Sequence, residues 1–345
     1  MSEKFDAVII GSGPNGLAAA ITLAMADLSV LVLEAKDTIG GGMRSAELTE
    51  PGFVHDICSA VHPLGAASPF LSRLPLNKHG LEWIYPPIAA AHPLDNGDAA
   101  ILASSVEDTA KSLDKDRDVY IRTIKPLVGD WDKIAFDLLG PVKIPYYLPE
   151  AIRFGLKAVR SAKSFTERYF SHEKAKALFA GMAAHSILPL DKKITSAIAL
   201  VLMIQGHNHG WPIPKGGSQS IACSMQSLLL SLDGKIKTNF EVKSLDDLPS
   251  AKAILFDLTP RQVLEICKDK LPVRYRKRLA RYRYGPGAFK VDWALSERIP
   301  FKSDKCRNAG TIHIGGTMEE ITDSEKLVWQ GKVSERPYII LAQQS

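Results

Sequence analysis

Phe5-Asp6-Ala7-Val8-Ile9-Ile10-Gly11-Ser12-Gly13-Pro14-Asn15-Gly16 decides the fold of this chain. The apolar run Phe5–Ile10 reads as a buried strand, and a Gly-x-Gly-x-x-Gly turn follows at once. Leu17, Ile21, Ala24, Met25 and Leu28 then fall on one helical face, so the spacing predicts a helix from the turn to about Asp27. Val30-Leu31-Val32-Leu33 reads as a second strand, and Glu34 closes it. Taken alone, such a turn could be an ordinary glycine-rich connection. Strand, turn, helix, strand and terminal acid in this order make a dinucleotide-binding βαβ unit. Gly11 permits the tight turn, Gly13 lets the backbone approach a pyrophosphate, and Gly16 lets the helix pack on the strand. The candidate pyrophosphate site is therefore Gly11, Gly13, Pro14, Asn15 and Gly16, facing the positive end of the helix dipole. Glu34 stands where a carboxylate accepts hydrogen bonds from a ribose. An acid there favours NAD or FAD over NADP, whose 2′-phosphate it would repel.

The next stretch bears on the choice between FAD and NAD. Ala35 follows the acid, and Gly40-Gly41-Gly42-Met43-Arg44 comes a few residues later. A glycine cluster with a close-following arginine suits a second pass against a long, extended cofactor. Gly40, Gly41 and Gly42 allow close approach, and the planar Arg44 fork can pair with phosphate. The plain alternative is a flexible loop with a solvated arginine. An NAD-dependent dehydrogenase without flavin fits the cluster less well.

Several further motifs carry a resemblance. They are Gly40–Leu48, Pro51-Gly52-Phe53-Val54-His55-Asp56, Ala183-Ala184-His185-Ser186, Gly210–Ser218, Asp257–Gln262 and Tyr284–Trp293. Together they resemble the phytoene desaturase-like FAD-dependent oxidoreductases. The nearest branch is that of the pyridine nucleotide-disulphide oxidoreductase domain-containing, or phytoene dehydrogenase-related, proteins, rather than the carotenoid enzymes proper. The likeness runs over essentially the whole chain. It implies an α/β fold with a discontinuous Rossmann-type FAD-binding domain (residues 1–85 and 212–265) and an inserted α+β substrate domain (86–211 and 266–345). It implies FAD as cofactor, with Val242 meeting the adenine end through its backbone. The implied reaction is hydride transfer from a mainly apolar organic substrate to flavin N5. Members of that family run on and close with a glycine-rich segment that returns to the flavin. This chain stops at Leu341-Ala342-Gln343-Gln344-Ser345, so the expectation is a C-terminally truncated chain. The alternative reading is a non-catalytic binding module on the same scaffold.

Composition narrows the classes. The 345 residues are 46% hydrophobic and 23% charged, ordinary for a globular protein and long enough for two domains. Lys and Arg total 43 against 38 acids, a net charge of +5 that makes no case for nucleic acid. The Arg/Tyr-rich stretch Arg274–Arg283 reads as a solvated helix face. No stretch reads as amphipathic enough to attach to lipid headgroups. Cys58, Cys223, Cys267 and Cys306 form no CxxC pair and read as buried free thiols of a reducing compartment. No signal peptide precedes Phe5, and the apolar run Ala197–Ile204 is too short to span a bilayer. The expected location is cytoplasmic, the expected partner is a small lipophilic molecule, and nothing sets an oligomeric state.

Asp95-Asn96-Gly97-Asp98 marks a hairpin between Ile88 and Leu102. Residues 104–206 read as mainly helical: a helix capped by Ser104-Ser105, then Asp118–Leu138, Pro149–Ala162 and Glu173–Ala184. Gly216-Gly217-Ser218 opens a helix through Leu230. Strands are expected at 235–238, 240–243, 251–257, 289–295 and 311–314. The side chains that could face a flavin are His55, Asp56, His62, His185, His207 and Trp211. Each has an equally plain structural account, as a hydrogen-bonded core histidine or a helix cap. No catalytic acid or base is assigned, and no His/Cys/Asp set has metal-ligand spacing.

Overall fold

The computed structural model describes residues 4–344; residues 1–3 and 345, which the expected domain bounds include, lie outside the described residues. The first part runs β1 (Phe5–Ile10), α1 (Pro14–Ala24), β2 (Val30–Leu33), β3 (Ser45–Glu47), β4 (Val54–Asp56), α2 (Pro63–Ala66), β5 (Trp83–Ile84), β6 (Ile88–Pro93) and β7 (Ala99–Ala103). A helical block follows: α3 (Val106–Lys111), α4 (Arg117–Gly129), α5 (Trp131–Leu138), α6 (Leu148–Ala158), α7 (Ala162–Tyr169), α8 (Glu173–Ala184) and α9 (Thr195–Asn208). The chain then returns to α/β with β8 (Ile213–Pro214), α10 (Gln219–Ser231), β9 (Lys235–Lys237), β10 (Ala251–Phe256), α11 (Pro260–Cys267) and α12 (Val273–Ala280). It ends with α13 (Asp304–Arg307), β11 (Ala309–Ile314), α14 (Met318–Trp329) and β12 (Ile339–Ala342).

Sequence-distant strands share each main sheet. The first has the order β10-β1-β2-β9, all parallel, with Ile9 opposite both Val32 and Leu255. Its central strands are covered on both faces, which is why they are near-continuous apolar runs rather than alternating ones. Leu17 and Ile21 of α1 pack with Ile221 and Met225 of α10 on one side. Phe5, Val8, Leu33, Val242 and Ile266 fill the other. The second sheet has the order β12-β11-β6-β7, and its β6–β7 pair is the expected hairpin. The largest core lies in the helical block, where Phe165 and Phe179 stack with centroids 4.3 Å apart.

Local chemistry explains where the sequence reading and the structure differ. The first helix stops at Ala24 because Asp27 takes φ +58°, so Met25 and Leu28 stay exposed. The expected helix Asp118–Leu138 is two helices that meet at Asp130, and Pro126 inside the first removes a backbone donor. Ser161 caps an additional helix, α7, by accepting from the Ser164 N–H at 3.1 Å. Phe240–Lys243 is extended but forms no strand: Phe240 N–H donates to Glu34 O (2.9 Å) and the run then peels away. Phe289–Leu295 forms no strand either, and Phe289, Val291 and Trp293 are exposed. Cys58 and Cys223 are exposed, not buried; Cys267 and Cys306 are buried. An amphipathic segment that the sequence reading passed over is α6, whose apolar stripe faces outward. Among the described residues, no helix is long and apolar enough to cross a membrane.

Candidate dinucleotide site

The three glycines of the first loop are needed for three different reasons. Gly11 has φ +100°, a left-handed conformation that side chains rarely adopt. Gly13 has φ −65°, open to any residue, so only space dictates glycine there: a Cβ would lie 2.6 Å from Asp257 Oδ2. Gly16 is enclosed by backbone, with a Cβ position 2.3 Å from Gly11 O.

Asp257, which sequence reasoning did not assign a role, closes this loop. It ends the apolar run of β10, and its N–H donates to Ile10 O (2.8 Å). Its Oδ2 accepts the Gly16 N–H at 2.9 Å. The N-cap of α1 is Gly13, which has no side chain to cap the helix. Asp257 therefore supplies the missing acceptor from the neighbouring strand. The available signal was an acid ending an apolar strand just before the helix start Thr259-Pro260. Asp257→Ala is expected to cost about 1–2 kcal/mol of stability in chemical denaturation, and Asp257→Asn, which keeps an acceptor oxygen, clearly less. Equal losses in both variants would deny the cap.

Glu34 lies at the end of β2, beside the first loop. Its Oε2 accepts from Ser12 N–H (3.0 Å) and Ser12 Oγ–H (2.5 Å), and its Oε1 from Lys36 N–H (2.9 Å). A carboxylate offers about four lone-pair sites, so it retains accepting capacity toward a further donor. Ser12 also ties in the second loop: Gly40 N–H donates to Ser12 O (3.0 Å) and Ser12 Oγ (3.2 Å). The two loops press together, for a Cβ on Gly41 would come within 3.0 Å of Gly13 Cα. Arg44 donates from Nε to Gly41 O at 3.0 Å. Gly42 lies against Cys58, and Ala35 is exposed beside Glu34. Pro14 and Asn15 are exposed at the mouth of the loop. Val242 is buried with Leu33 on the far face of the sheet. The structure thus brings Gly11–Gly16, Glu34 and Gly40–Arg44 together.

The residues considered for catalysis separate into groups. Asp56 Oδ1 accepts from Ser45 Oγ–H and the Ser218 N–H, both 2.6 Å, and Ser218 Oγ lies 2.7 Å from His62 Nε2. This network ties the second loop to the start of α10. Burial pushes His62 below the usual histidine range, against the pull of Asp56. His55 bonds Thr49 Oγ1 (2.7 Å), and His207 bonds the Tyr120 hydroxyl (2.7 Å). His185 and Trp211 join a cluster that was not foreseen. His185 Nε2 lies 2.9 Å from His313 Nε2, and the Trp211 ring is 5.6 Å from His185. His92 Nε2 donates to Gly316 O (2.7 Å), while the Nδ1 atoms of His92 and His313 find no partner. Burial lowers His92 and His185 to about 4 and His313 well below its ordinary 6.5. Nearby Glu325 is raised by burial to about 7. Among the described residues, no group of His, Cys, Asp and Glu is placed to hold a metal. An open depression of about 480 Å³, lined by Met25, Phe70 and Leu74, lies beyond the C-terminal end of α1, away from both loops.

A parallel sheet with this loop pair and a closing acid defines a Rossmann-type dinucleotide-binding protein. Residues 9–74 match the NAD(P)-binding Rossmann-like domain family. One of the subunits of limonene dehydrogenase from Castellaniella defragrans is 31% identical over 115 residues, covering 33% of this chain and 21% of that protein. Among solved structures, a Pyrococcus furiosus protein has a TM-score of 0.55 at 15% identity, covering 99% of this chain and 79% of its own. A wild-type putrescine oxidase bound to putrescine has a TM-score of 0.50 at 19% identity, covering 81% of this chain and 64% of its own. The chain therefore spans about a fifth of the curated relative and just under two thirds of the oxidase. At these identities the structural likeness establishes the fold alone: α/β, with a Rossmann-type dinucleotide-binding domain.

Proposed function

We propose that this chain is an FAD-dependent oxidoreductase of the phytoene desaturase-like kind, acting on a mainly apolar organic substrate. The observation that carries this is the backbone-to-backbone contact of Gly13 and Gly41 beside Glu34, because a cofactor long enough to need both loops fits that arrangement. Space at both glycines is limited enough that a Cβ would intrude, so the loops suit a ligand that approaches backbone. Gly11, Gly13, Pro14, Asn15 and Gly16 bind the pyrophosphate, helped by the first-turn N–H groups of α1. Gly40, Gly41 and Gly42 give the second approach, and Arg44 exchanges its bond to Gly41 for phosphate. Glu34 and Ala35 flank the ribose, and Val242 meets the adenine through its backbone. Bound FAD supplies a hydride acceptor at flavin N5. The chain binds, orients and excludes water. Its division follows the sheets: residues 1–85 and 212–265 bind FAD, and 86–211 with 266–345 meet the substrate.

Purified chain supplied with FAD is expected to show the two absorption bands of oxidised flavin, at roughly 370 and 450 nm. A colourless protein that takes up no FAD removes the reading in favour of a binding module without redox chemistry. Glu34→Ala is expected to weaken FAD binding by about tenfold to a hundredfold, since a ribose hydroxyl pair loses its acceptor and Ser12 loses its anchor. Fluorescence titration measures this, and unchanged affinity would refute the role.

A further inference from the structure

Leu148, Ile152 and Leu156 recur every four residues along α6, Val159 stands one turn further, and all are exposed. The opposite face buries Phe154 and Ala158, so α6 packs on the helical block and leaves a second apolar face open. Leu156 is 65% exposed. The segment entering α6 adds Val142, Ile144 and Tyr146, all exposed. Ile194 extends the surface at the other end; it is 62% exposed, and its N–H donates to the carbonyls of Val159 (3.3 Å) and Arg160 (3.0 Å). Single exposed apolar residues are ordinary, but a continuous patch marks an interface.

The charges on this patch choose its partner. Residues 130–163 carry Lys133, Lys143, Arg153, Lys157, Arg160 and Lys163 against Asp130, Asp132, Asp137 and Glu150. Lys192 and Lys193, with Asp191, lie beside Ile194. Lys133 pairs with Glu150, Arg153 with Asp130 and Lys143 with Asp137, which neutralises three of the cations. Lys192 and Lys193 are exposed at the rim and have no acidic partner among the described residues. Two copies of the chain meeting face to face would set this cationic excess against itself. An anionic bilayer takes the apolar stripe among its acyl chains and the lysines at its headgroups.

We propose that α6, the 142–146 segment and Ile194 form a docking surface for an anionic phospholipid membrane, with α6 lying in the interface plane. Flotation of the full chain with vesicles tests it, using phosphatidylcholine alone and phosphatidylcholine with about 30% phosphatidylserine. The chain is expected to float with the anionic vesicles, far less with neutral ones, and less as salt rises. Ile152→Glu with Leu156→Glu is expected to cut the bound fraction about tenfold or more. Lys192→Glu with Lys193→Glu is expected to cut it by a similar factor. Both pairs are exposed, so circular dichroism and melting temperature should match the parent, and the lysine pair remains decisive if the first misfolds. A parent chain that ignores anionic vesicles overturns the proposal. So does a parent that sediments as a dimer, dissociates with Ile152→Glu and Leu156→Glu, and binds no vesicles, for a second copy then covers the patch.

Discussion

Gly13→Val is expected to abolish dinucleotide binding while the chain stays folded. The backbone at Gly13 has φ −65°, so valine adds no strain of the left-handed kind. Its Cβ would lie 2.6 Å from Asp257 Oδ2, and that oxygen is the end of a side chain that can rotate aside. The fold therefore absorbs the change at about 1–2 kcal/mol. That rotation takes away the acceptor of the Gly16 N–H, so the loop that faces the pyrophosphate is reshaped. The reshaped loop and the bulk of the branched side chain exclude the pyrophosphate, and affinity should fall by more than about a hundredfold. Gly16→Ala makes the contrast. Its Cβ meets the Gly11 carbonyl at 2.3 Å, so it should lower the melting temperature itself. Fluorescence titration with a parallel thermal melt separates the two. Normal flavin affinity in Gly13→Val would show that the pyrophosphate does not lie across this loop.

Acid should destabilise the chain steeply well above the carboxylate range. His92, His185 and His313 sit between the second sheet and its helices with lowered proton affinity. His185 and His313 face each other through Nε2 at 2.9 Å, so one donates and the other accepts; two protonated rings would set N–H against N–H. The unfolded chain takes up these protons near the ordinary 6.5, whereas the folded chain keeps His92 and His185 neutral until about 4 and holds His313 well below its ordinary value. A depressed folded value means stability that is present above 6.5 and lost as pH falls toward 4. Each histidine contributes a slope of about 1.4 kcal/mol per pH unit. Glu325 works in the opposite sense. Its value is raised from 4.5 to about 7, so its contribution is present below 4.5 and is lost as pH rises through 7. It cancels about one histidine over the shared window. His207, which burial also lowers to about 4, adds to the three, so the net expectation is a loss of about 4 kcal/mol per pH unit between 6.5 and about 5. Urea denaturation at a series of pH values measures it, and a flat profile over that window would contradict the buried neutral cluster.

The N-terminal unit was legible because its signals agree at every level. An apolar run, three glycines at fixed spacing, one helical face and a closing acid all give the same answer, and β1, α1 and β2 follow. The hairpin around Gly97 was equally plain from its turn chemistry, and the helix Glu173–Ala184 has the expected bounds although it is buried on nearly every side. What pattern cannot supply is a partner. Phe240–Lys243 and Phe289–Leu295 have strand-like composition, yet neither pairs with a strand. Asp257 acts across 241 residues on Gly16, and His313 meets His185 across 128, so neither role has a local signature. The outward stripe of α6 escaped notice because periodicity gives the width of an apolar face but not which neighbour covers it.

Titration of the purified chain with FAD, FMN and ADP, followed by calorimetry, tests the central claim most directly. If the glycine loops and Glu34 grip the adenosine diphosphate half, FAD binds, ADP competes with it, and FMN, which lacks that half, binds about a hundredfold more weakly or not at all. FMN binding as tightly as FAD, or FAD binding untouched by ADP, would contradict the account.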